Sequence, residues 1–373
     1  MDIKAYFKNY VNNIAYLEID KDYYIKGVNL KGLPLPVRVQ DLVDNLKNEK
    51  LTENVNFEIF SIGMLYNIGI DEDFKYNREY IKILSKIYEN ILKLIFNIIF
   101  QLKENNTETK KMNENLLILY HAAYIIRPDD ELAIYGYGTE LLNHYKLTEN
   151  KEEKNIFFKE LKNILENFLK SNLNSPYIYI LYGNLNIEEN MYIKAMSCFK
   201  KALEFSEKEE LKEKIRALIT DIDFEFNIEK AVQYLNNFNF DKAREILIKI
   251  NNNTLAIYYM GLSYLLEKNY DEALIYYERL YLKYSERFLE LFIDLSTCYF
   301  MVGRIKDSFS IIQEGLEQYN DNTSLLYNRI MMNYQLNNLK DALKDIEILI
   351  QYDDIDDEIF NQLCILKENI LKK

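Results

Sequence analysis

Residues 257–281 read IYYMGLSYLLEKNYDEALIYYERLY, and the small residues in this stretch decide how it folds. Gly261 lies twelve positions before Ala273, and the large side chain of Tyr277 lies four positions after Ala273. Two antiparallel helices approach closely only where the side chains between them are small. The stretch therefore predicts a pair of closely packed helices.

The same frame recurs across the C-terminal half of the chain. Nine of the ten residues in its two small columns are Ala, Gly or Ser, which together make up less than a tenth of the chain. The earlier column is Gly183, Ala231, Gly261, Ser296 and, as the exception, Ile330; the later column is Ala195, Ala243, Ala273, Ser308 and Ala342; the large column is Phe199, Leu247, Tyr277, Ile312 and Ile346.

This frame resembles the tetratricopeptide repeat, a helix–turn–helix unit of about 34 residues. The resemblance implies an all-α fold, a right-handed superhelical solenoid of helix pairs with a short N-terminal cap and a C-terminal capping helix. Only four prolines and ten glycines occur in 373 residues, which is typical of a helical chain.

The pattern divides the chain into four parts. Residues 1–78 are a cap with an extended Pro/Gly arm, 79–175 hold degenerate helix pairs, 176–355 form the repeat array, and 356–373 form a capping helix. The clear units lie near 176–209, 224–253, 254–287, 289–321 and 323–351. Residues 207–223 between the first two units are predicted to be an additional helix or linker, and 251–253 a shortened turn.

The N-terminal arm covers Ile25–Gln40, where Leu33, Leu35, Val37 and Val39 alternate with other residues. A period of two with Pro34 and Pro36 indicates an extended arm or edge strand that covers the first helices. From Leu42 the pattern becomes helical, with a loop at Asp71–Asn77.

In the degenerate region, we expect one helix over Ile81–Lys103 to pair with Asn113–Ile126, and Glu131–Tyr145 to pair with Phe157–Leu169. The polar run Lys146–Asn155 is predicted to be a long turn. Within Ile81–Leu102, polar residues recur at steps of three and four. The stripe they form favours a largely buried helix over a membrane span.

Composition narrows the class of protein. A net charge of −13 and a pI near 5.0 argue against nucleic acid and anionic membranes as partners. Three distant cysteines and the polar start MDIKAYFKNYVNN predict a cytoplasmic protein. Abundant Asn, Ile, Lys and Tyr favour a low-GC bacterial source.

Few residues are candidates for a catalytic, cofactor-binding or metal-binding role. His121 and His144 lack ligand spacing, so no metal is expected. Gly136 and Gly138 sit in a helical pattern and predict close helix packing, while the acidic run 353–358 predicts a turn and a helix N-terminus. Because the chain has neither a phosphate-binding P-loop motif nor a nucleophile elbow, we predict no cofactor and no enzymatic activity.

The resemblance implies that the first helix of each unit lines a concave groove. The partner-binding residues would be Tyr177, Asn184, Tyr258, Leu262, Thr297, Phe300, Tyr327, Met331 and Tyr334, together with Ile180, Ile187, Ile228, Val232, Leu235, Leu265 and Ile293. At each position the alternative is that the side chain belongs to the core of the array.

Two functions fit this groove. One is a scaffold or adaptor that binds a helix or extended segment of another protein. The alternative is an intracellular receptor for a small signalling peptide of a low-GC bacterium. Such receptors usually carry a helix-turn-helix or a three-helix module before their repeats, and Ile25–Gln40 resembles neither. A weaker third possibility is self-assembly through an uncapped end. The partner's identity and the oligomeric state are left open.

Overall fold

A computed structural model describes residues 2–20, 22–47, 57–105, 110–171, 174–283, 287–320, 322–352 and 355–372. The chain divides into two compact units, Met1–Asp221 and Ile222–Lys373.

The first unit opens with short helices and strands. They are α1 Ile3–Lys8, β1 Ile14–Leu17, β2 Tyr24–Ile25, β3 Val28–Asn29, β4 Leu35–Arg38 and α2 Val39–Lys47. Strands β1 and β4 pair antiparallel from Ile14 opposite Arg38 to Leu17 opposite Leu35, and β2 and β3 form a hairpin. The predicted extended strand is present in β4, but burial does not alternate along it, because Pro36 is buried together with Leu35 and Val37. Val39 is exposed because α2 begins at that residue, three positions before the expected Leu42.

The first unit continues with nine helices in the described residues. They are α3 Phe57–Ile70, α4 Asn77–Ile87, α5 Ile91–Asn105, α6 Lys110–Ile126, α7 Glu131–Leu147, α8 Lys151–Ser171, α9 Pro176–Glu188, α10 Tyr192–Phe205 and α11 Glu209–Asp221. Strand β4 packs on α3, and α3 packs on α6. The arm therefore covers an early helix, as expected. Helix α11 occupies the predicted linker.

The single helix predicted over Ile81–Lys103 is wrong. Tyr88 is extended between α4 and α5, and its hydroxyl donates to Ser61 Oγ of α3 at 3.0 Å. Asn90 Oδ1 then accepts the backbone N–H of Lys93 at 3.0 Å, which starts a new helix. Helix α5 is also less buried than expected. Only every fourth residue along it is buried, and these residues are Ile91, Ile95 and Ile99.

The long turn predicted at Lys146–Asn155 is also wrong. Helix α7 runs to Leu147 and α8 begins at Lys151, so three residues form the turn. Asn150 is the reason, because its Oδ1 accepts the backbone N–H of Glu152 at 2.9 Å and caps α8. The polar residues after it form the solvated first turn of a helix.

The second unit consists of helices alone in its described residues. They are α12 Asp223–Asn236, α13 Phe240–Leu247, α14 Thr254–Leu266, α15 Tyr270–Lys283, α16 Leu289–Met301, α17 Ile305–Gln318, α18 Thr323–Gln335, α19 Leu339–Leu349 and α20 Asp357–Leu371. Consecutive helices pack as pairs, α12 with α13 through α18 with α19. Buried apolar residues of α14 to α19 form one core, and Leu363 and Ile370 of α20 are buried in it. Helix α20 therefore caps this core.

The small-residue columns explain how the pairs pack. All fifteen residues of the three columns are buried. A methyl group added to Gly261 would lie 2.6 Å from the ring of Tyr277, and one added to Gly183 would lie 2.3 Å from the ring of Phe199. The Ser308 hydroxyl donates to the carbonyl of Ser296 at 2.8 Å, directly across the pair. The frame therefore marks the contact between the two helices of each unit.

Overpacking this contact should be costly. We expect Ala273→Leu to lower the free energy of unfolding by about 1–3 kcal/mol, because Ala273 is fully buried against the facing helix. Urea denaturation of the full chain measures the effect. Ile275→Leu, on an exposed position of the same helix, should change stability by less than ~0.5 kcal/mol. Equal stability of the two variants would show that the frame is misplaced.

The turn inside each pair also repeats. The residue five positions before the later small column has positive φ in all five units, and these residues are Asn190, Phe238, Lys268, Gly303 and Asn337. In the α14–α15 turn, the backbone N–H of Lys268 donates to Leu265 and that of Asn269 to Tyr264, both at 2.9 Å. This is the Schellman arrangement, and the other four turns have the same pair of bonds.

Candidate binding surface

The first helices of the second unit lie side by side. Helix α12 contacts α14, α14 contacts α16, and α16 contacts α18. The predicted groove residues recur on these helices at steps of three and four, so they share one side of each helix. We call the side that carries Tyr258, Leu262, Thr297, Phe300, Tyr327, Met331 and Tyr334 the first-helix face.

Every residue of the first-helix face is half-buried. Of the wider predicted set, Leu235 differs, because it is buried at 2% exposure and belongs to the core. Tyr258, Phe300, Tyr327 and Tyr334 pack partly against the apolar core of the second unit. Each of these side chains thus has one part in the core and another part that water reaches.

Tyr177 and Asn184 lie on α9 in the first unit, where both are half-buried. The ring of Tyr177 packs against that of Tyr135 on α7, with centroids 5.5 Å apart. Both residues belong to the first unit and are not part of the first-helix face.

Polar contacts join successive first helices across the face. The Tyr258 hydroxyl donates to Asp294 Oδ2 of α16 at 2.8 Å. Asn328 Nδ2 of α18 donates to Thr297 Oγ1 of α16 at 3.3 Å, and the Tyr327 hydroxyl donates to Gln362 Oε1 of α20 at 3.1 Å. These bonds fix neighbouring repeats in register and occupy the hydroxyls of both tyrosines.

Asp294 is the residue of this region that sequence reasoning missed. Its Oδ2 accepts hydrogen bonds from Tyr258 at 2.8 Å and from Tyr277 at 3.2 Å. Burial raises the pKa of the Asp294 carboxyl, and the two tyrosine hydrogen bonds oppose that rise. A lone carboxylate in the apolar run LFIDLSTCYF is a sequence signal for such a half-buried hydrogen-bond acceptor.

Both histidines are engaged in packing. His121 is buried, its Nδ1 donates to the Gly69 carbonyl at 2.7 Å, and its ring stacks on Phe7 with centroids 4.2 Å apart. Burial lowers the pKa of His121 to about 4, which leaves the ring neutral near pH 7. His144 Nδ1 donates to the Glu140 carbonyl at 2.8 Å.

Two other predicted features have structural roles. A methyl group added to Gly136 would lie 2.2 Å from the ring of Tyr120, so the predicted close packing is confirmed. In the acidic run, Asp356 caps α20 through the backbone N–H of Glu358 at 2.9 Å, while Asp353 and Asp354 lie outside the described residues.

Within the described ranges, no group of three or more His, Cys, Asp or Glu side chains could hold a metal ion. No helix in that part of the chain is long and apolar enough to cross a membrane.

The successive helix pairs, their shared small-residue contact and their shared turn make this a helical repeat protein with tetratricopeptide-like units. No family model matches the chain. No curated protein matches it.

Several solved structures are similar. A tetratricopeptide repeat protein from Parabacteroides merdae is 14% identical with a TM-score of 0.39, over 74% of this chain and 98% of that one. Yeast Tom70 is 15% identical with a TM-score of 0.38, over 89% of this chain and 72% of that one. The structure of the APC/C hetero-tetramer Cut9–Hcn1 is 12% identical with a TM-score of 0.39, over 90% of this chain and 66% of the matched one.

Proposed function

We propose that this chain is a non-enzymatic scaffold that binds a segment of another protein on the first-helix face. The observation that carries the proposal is the half-burial of all seven side chains of that face on three adjacent helices. Such side chains are held in place on one side and still offer apolar area to a partner. Aromatic anchors of this kind dominate the energy of protein interfaces.

The chemistry of the face favours an amphipathic helix as the bound segment. The hydroxyls of Tyr258 and Tyr327 already donate within the protein, and Thr297 donates to the carbonyl of Ile293 at 2.8 Å. The face therefore offers mainly rings and methyl groups. An extended segment brings unpaired backbone groups that need partners, whereas a helix satisfies its own and presents an apolar stripe.

Leu262 and Met331 are the best positions at which to test the proposal. Both are half-buried on the face, and neither is among the side chains that pack against the core of the second unit. Tyr258 is a poorer choice, because its removal leaves half-buried Asp294 with one hydrogen bond fewer. A charged side chain at Leu262 or Met331 can reach water in the free protein but would be buried under a partner.

The experiment selects helical peptides from a displayed library on the full chain and measures their dissociation constants. We expect the double variant Leu262→Asp with Met331→Asp to weaken binding at least about thirtyfold, the effect of losing roughly 2 kcal/mol at an interface. The matched control is Ile275→Asp with Leu282→Asp, at positions 59% and 81% exposed on second helix α15.

The control should retain wild-type affinity, and both double variants should unfold at the wild-type urea concentration. If no peptide is enriched, or if the Leu262 and Met331 variant binds as tightly as the control, the first-helix face is not the binding site.

A further inference from the structure

A cavity of about 680 Å³ lies in the first unit, between the N-terminal segment, β4, α2, α3 and α6. Its size is within the range of pockets that hold small organic ligands. It shares no residue with the first-helix face. The side chains around it include an apolar set and a charged set, which together specify a ligand.

The apolar set comes from four elements, β1, α2, α3 and α6, and consists of Ile14, Val39, Val43, Ile70 and Ile118. Val39 and Val43 lie one helical turn apart on α2, and both are exposed at about 40% although they are large and apolar. Exposed aliphatic side chains beside a cavity favour a ligand with an apolar body.

The charged set is more positive than negative. Arg38, Lys110 and Lys111 line the cavity together with Glu114, and Asp41 pairs with Arg38. Asp41 engages the Nε and Nη2 atoms of Arg38, both at 2.7 Å, and leaves Nη1 unengaged by that carboxylate. Three cationic and two anionic groups leave a surplus of one positive charge. A ligand with a single negative charge would balance it.

Tyr66 supplies an unused donor. It lines the cavity and is 3% exposed, and its hydroxyl has no hydrogen-bond partner in the described part of the protein. The guanidinium of Arg38 lies over its ring at 4.7 Å from the centroid, but a guanidinium only donates and cannot accept the hydroxyl hydrogen of Tyr66. A buried hydroxyl without a partner is costly, so such a group points to an absent acceptor.

We propose that this cavity binds a small monocarboxylic acid with an apolar chain, the carboxylate at Tyr66 and Arg38 and the chain along Val39 and Val43. The Tyr66 hydroxyl donates to one carboxylate oxygen, and Nη1 of Arg38 donates to the other. The chain replaces water on the exposed aliphatic side chains. The single surplus charge selects a monoacid over a diacid.

The test uses decanoate as the probe, with decanol and decyltrimethylammonium as neutral and cationic compounds of matched chain length. Isothermal titration of the full chain should show saturable binding of decanoate and at least tenfold weaker binding of the other two. Equal binding of all three would mean apolar association only and would overturn the proposal, as would an absence of decanoate binding.

The decisive variant is Tyr66→Phe, which removes only the hydroxyl. We expect an affinity for decanoate about tenfold lower and a melting temperature no lower than that of the wild type, because the hydroxyl has no partner in the free protein. The matched control is Tyr137→Phe, since Tyr137 is also buried in the first unit with an unpartnered hydroxyl and does not line the cavity.

The control should bind decanoate with wild-type affinity. A second variant, Val43→Trp, places a large ring at the exposed edge of the cavity and should block the chain of the acid. If Tyr66→Phe and Tyr137→Phe bind decanoate equally well, the carboxylate does not reach Tyr66 and the proposal fails.

Discussion

Gly63→Ala should destabilise the first unit by about 3 kcal/mol or more. A methyl group on Gly63 of α3 would lie 1.9 Å from the carbonyl oxygen of Pro36 and 2.5 Å from its carbonyl carbon. These are backbone atoms of β4, which cannot rotate away. The strand must move off α3, and that movement exposes Leu35 and Val37, each of which contributes about 1.5–3 kcal/mol when buried.

Urea denaturation of the full chain measures this loss, and hydrogen exchange of the amides of β1 and β4 locates it. Gly138→Ala is the matched control, because its methyl group would meet side-chain carbons of Leu181 at 2.5 Å and Leu161 at 3.0 Å, which can change rotamer. In both variants alanine raises helix propensity by up to about 1 kcal/mol. Equal stability of the two would show that β4 does not rest on α3.

The helix pairs could be predicted because their contacts repeat in the sequence. A close contact between two helices needs a small residue such as Ala273 and a large one such as Tyr277. The same residue types recur at the same spacing in each unit. The break after Ile87 could not be predicted in the same way. Apolar residues continue across it without a change of period, and the hydrogen bond from Tyr88 to Ser61 that draws the chain out of the helix joins residues far apart in sequence.

The candidate sites show the same limit. The positions of Tyr258 and Tyr327 on the first helices follow from the repeat frame, but their acceptors Asp294 and Gln362 lie a full repeat away. The cavity beside Tyr66 could not be predicted at all, because it is formed where β4, α2 and α3 of the N-terminal segment meet α6. A repeating sequence pattern predicts the contacts that recur in every unit. Contacts that occur only once in the protein can be identified only from the folded structure.

Two titratable groups of the first unit should affect stability in opposite directions between about pH 4.5 and pH 6.5. Burial raises the pKa of Glu160 on α8 to about 7, and nearby Glu72 and Asp2 add to the rise. Burial lowers the pKa of His121 on α6 to about 4, although its hydrogen bond to the Gly69 carbonyl opposes the change. Glu72 Oε2 also lies 3.8 Å from His121 Nε2. Lys4 acts on His121, and Tyr124 and Tyr137 interact with Glu160.

The signs follow from which state holds the proton. Folded Glu160 binds its proton more tightly than the unfolded chain does, so its contribution to stability is present below its ordinary pKa and is lost as pH rises through about 7. Folded His121 resists protonation, so its contribution is present above pH 6.5 and is lost as pH falls through about 4. The two slopes cancel between pH 4.5 and 6.5 in the wild-type protein.

In Glu160→Gln, the pH dependence of stability that comes from His121 should no longer be cancelled. We expect the variant to be more stable than the wild type by about 2–3 kcal/mol at pH 8, where ionised Glu160 is unfavourable, and to lose this advantage toward pH 4.5. Urea denaturation of the full chain at half-unit pH intervals measures both profiles. Glu152→Gln, at an exposed position of the same helix, is the control and should run parallel to the wild type. If the Glu160 variant also runs parallel to the wild type, the carboxyl is solvated and α8 does not bury it against Glu72 and Asp2.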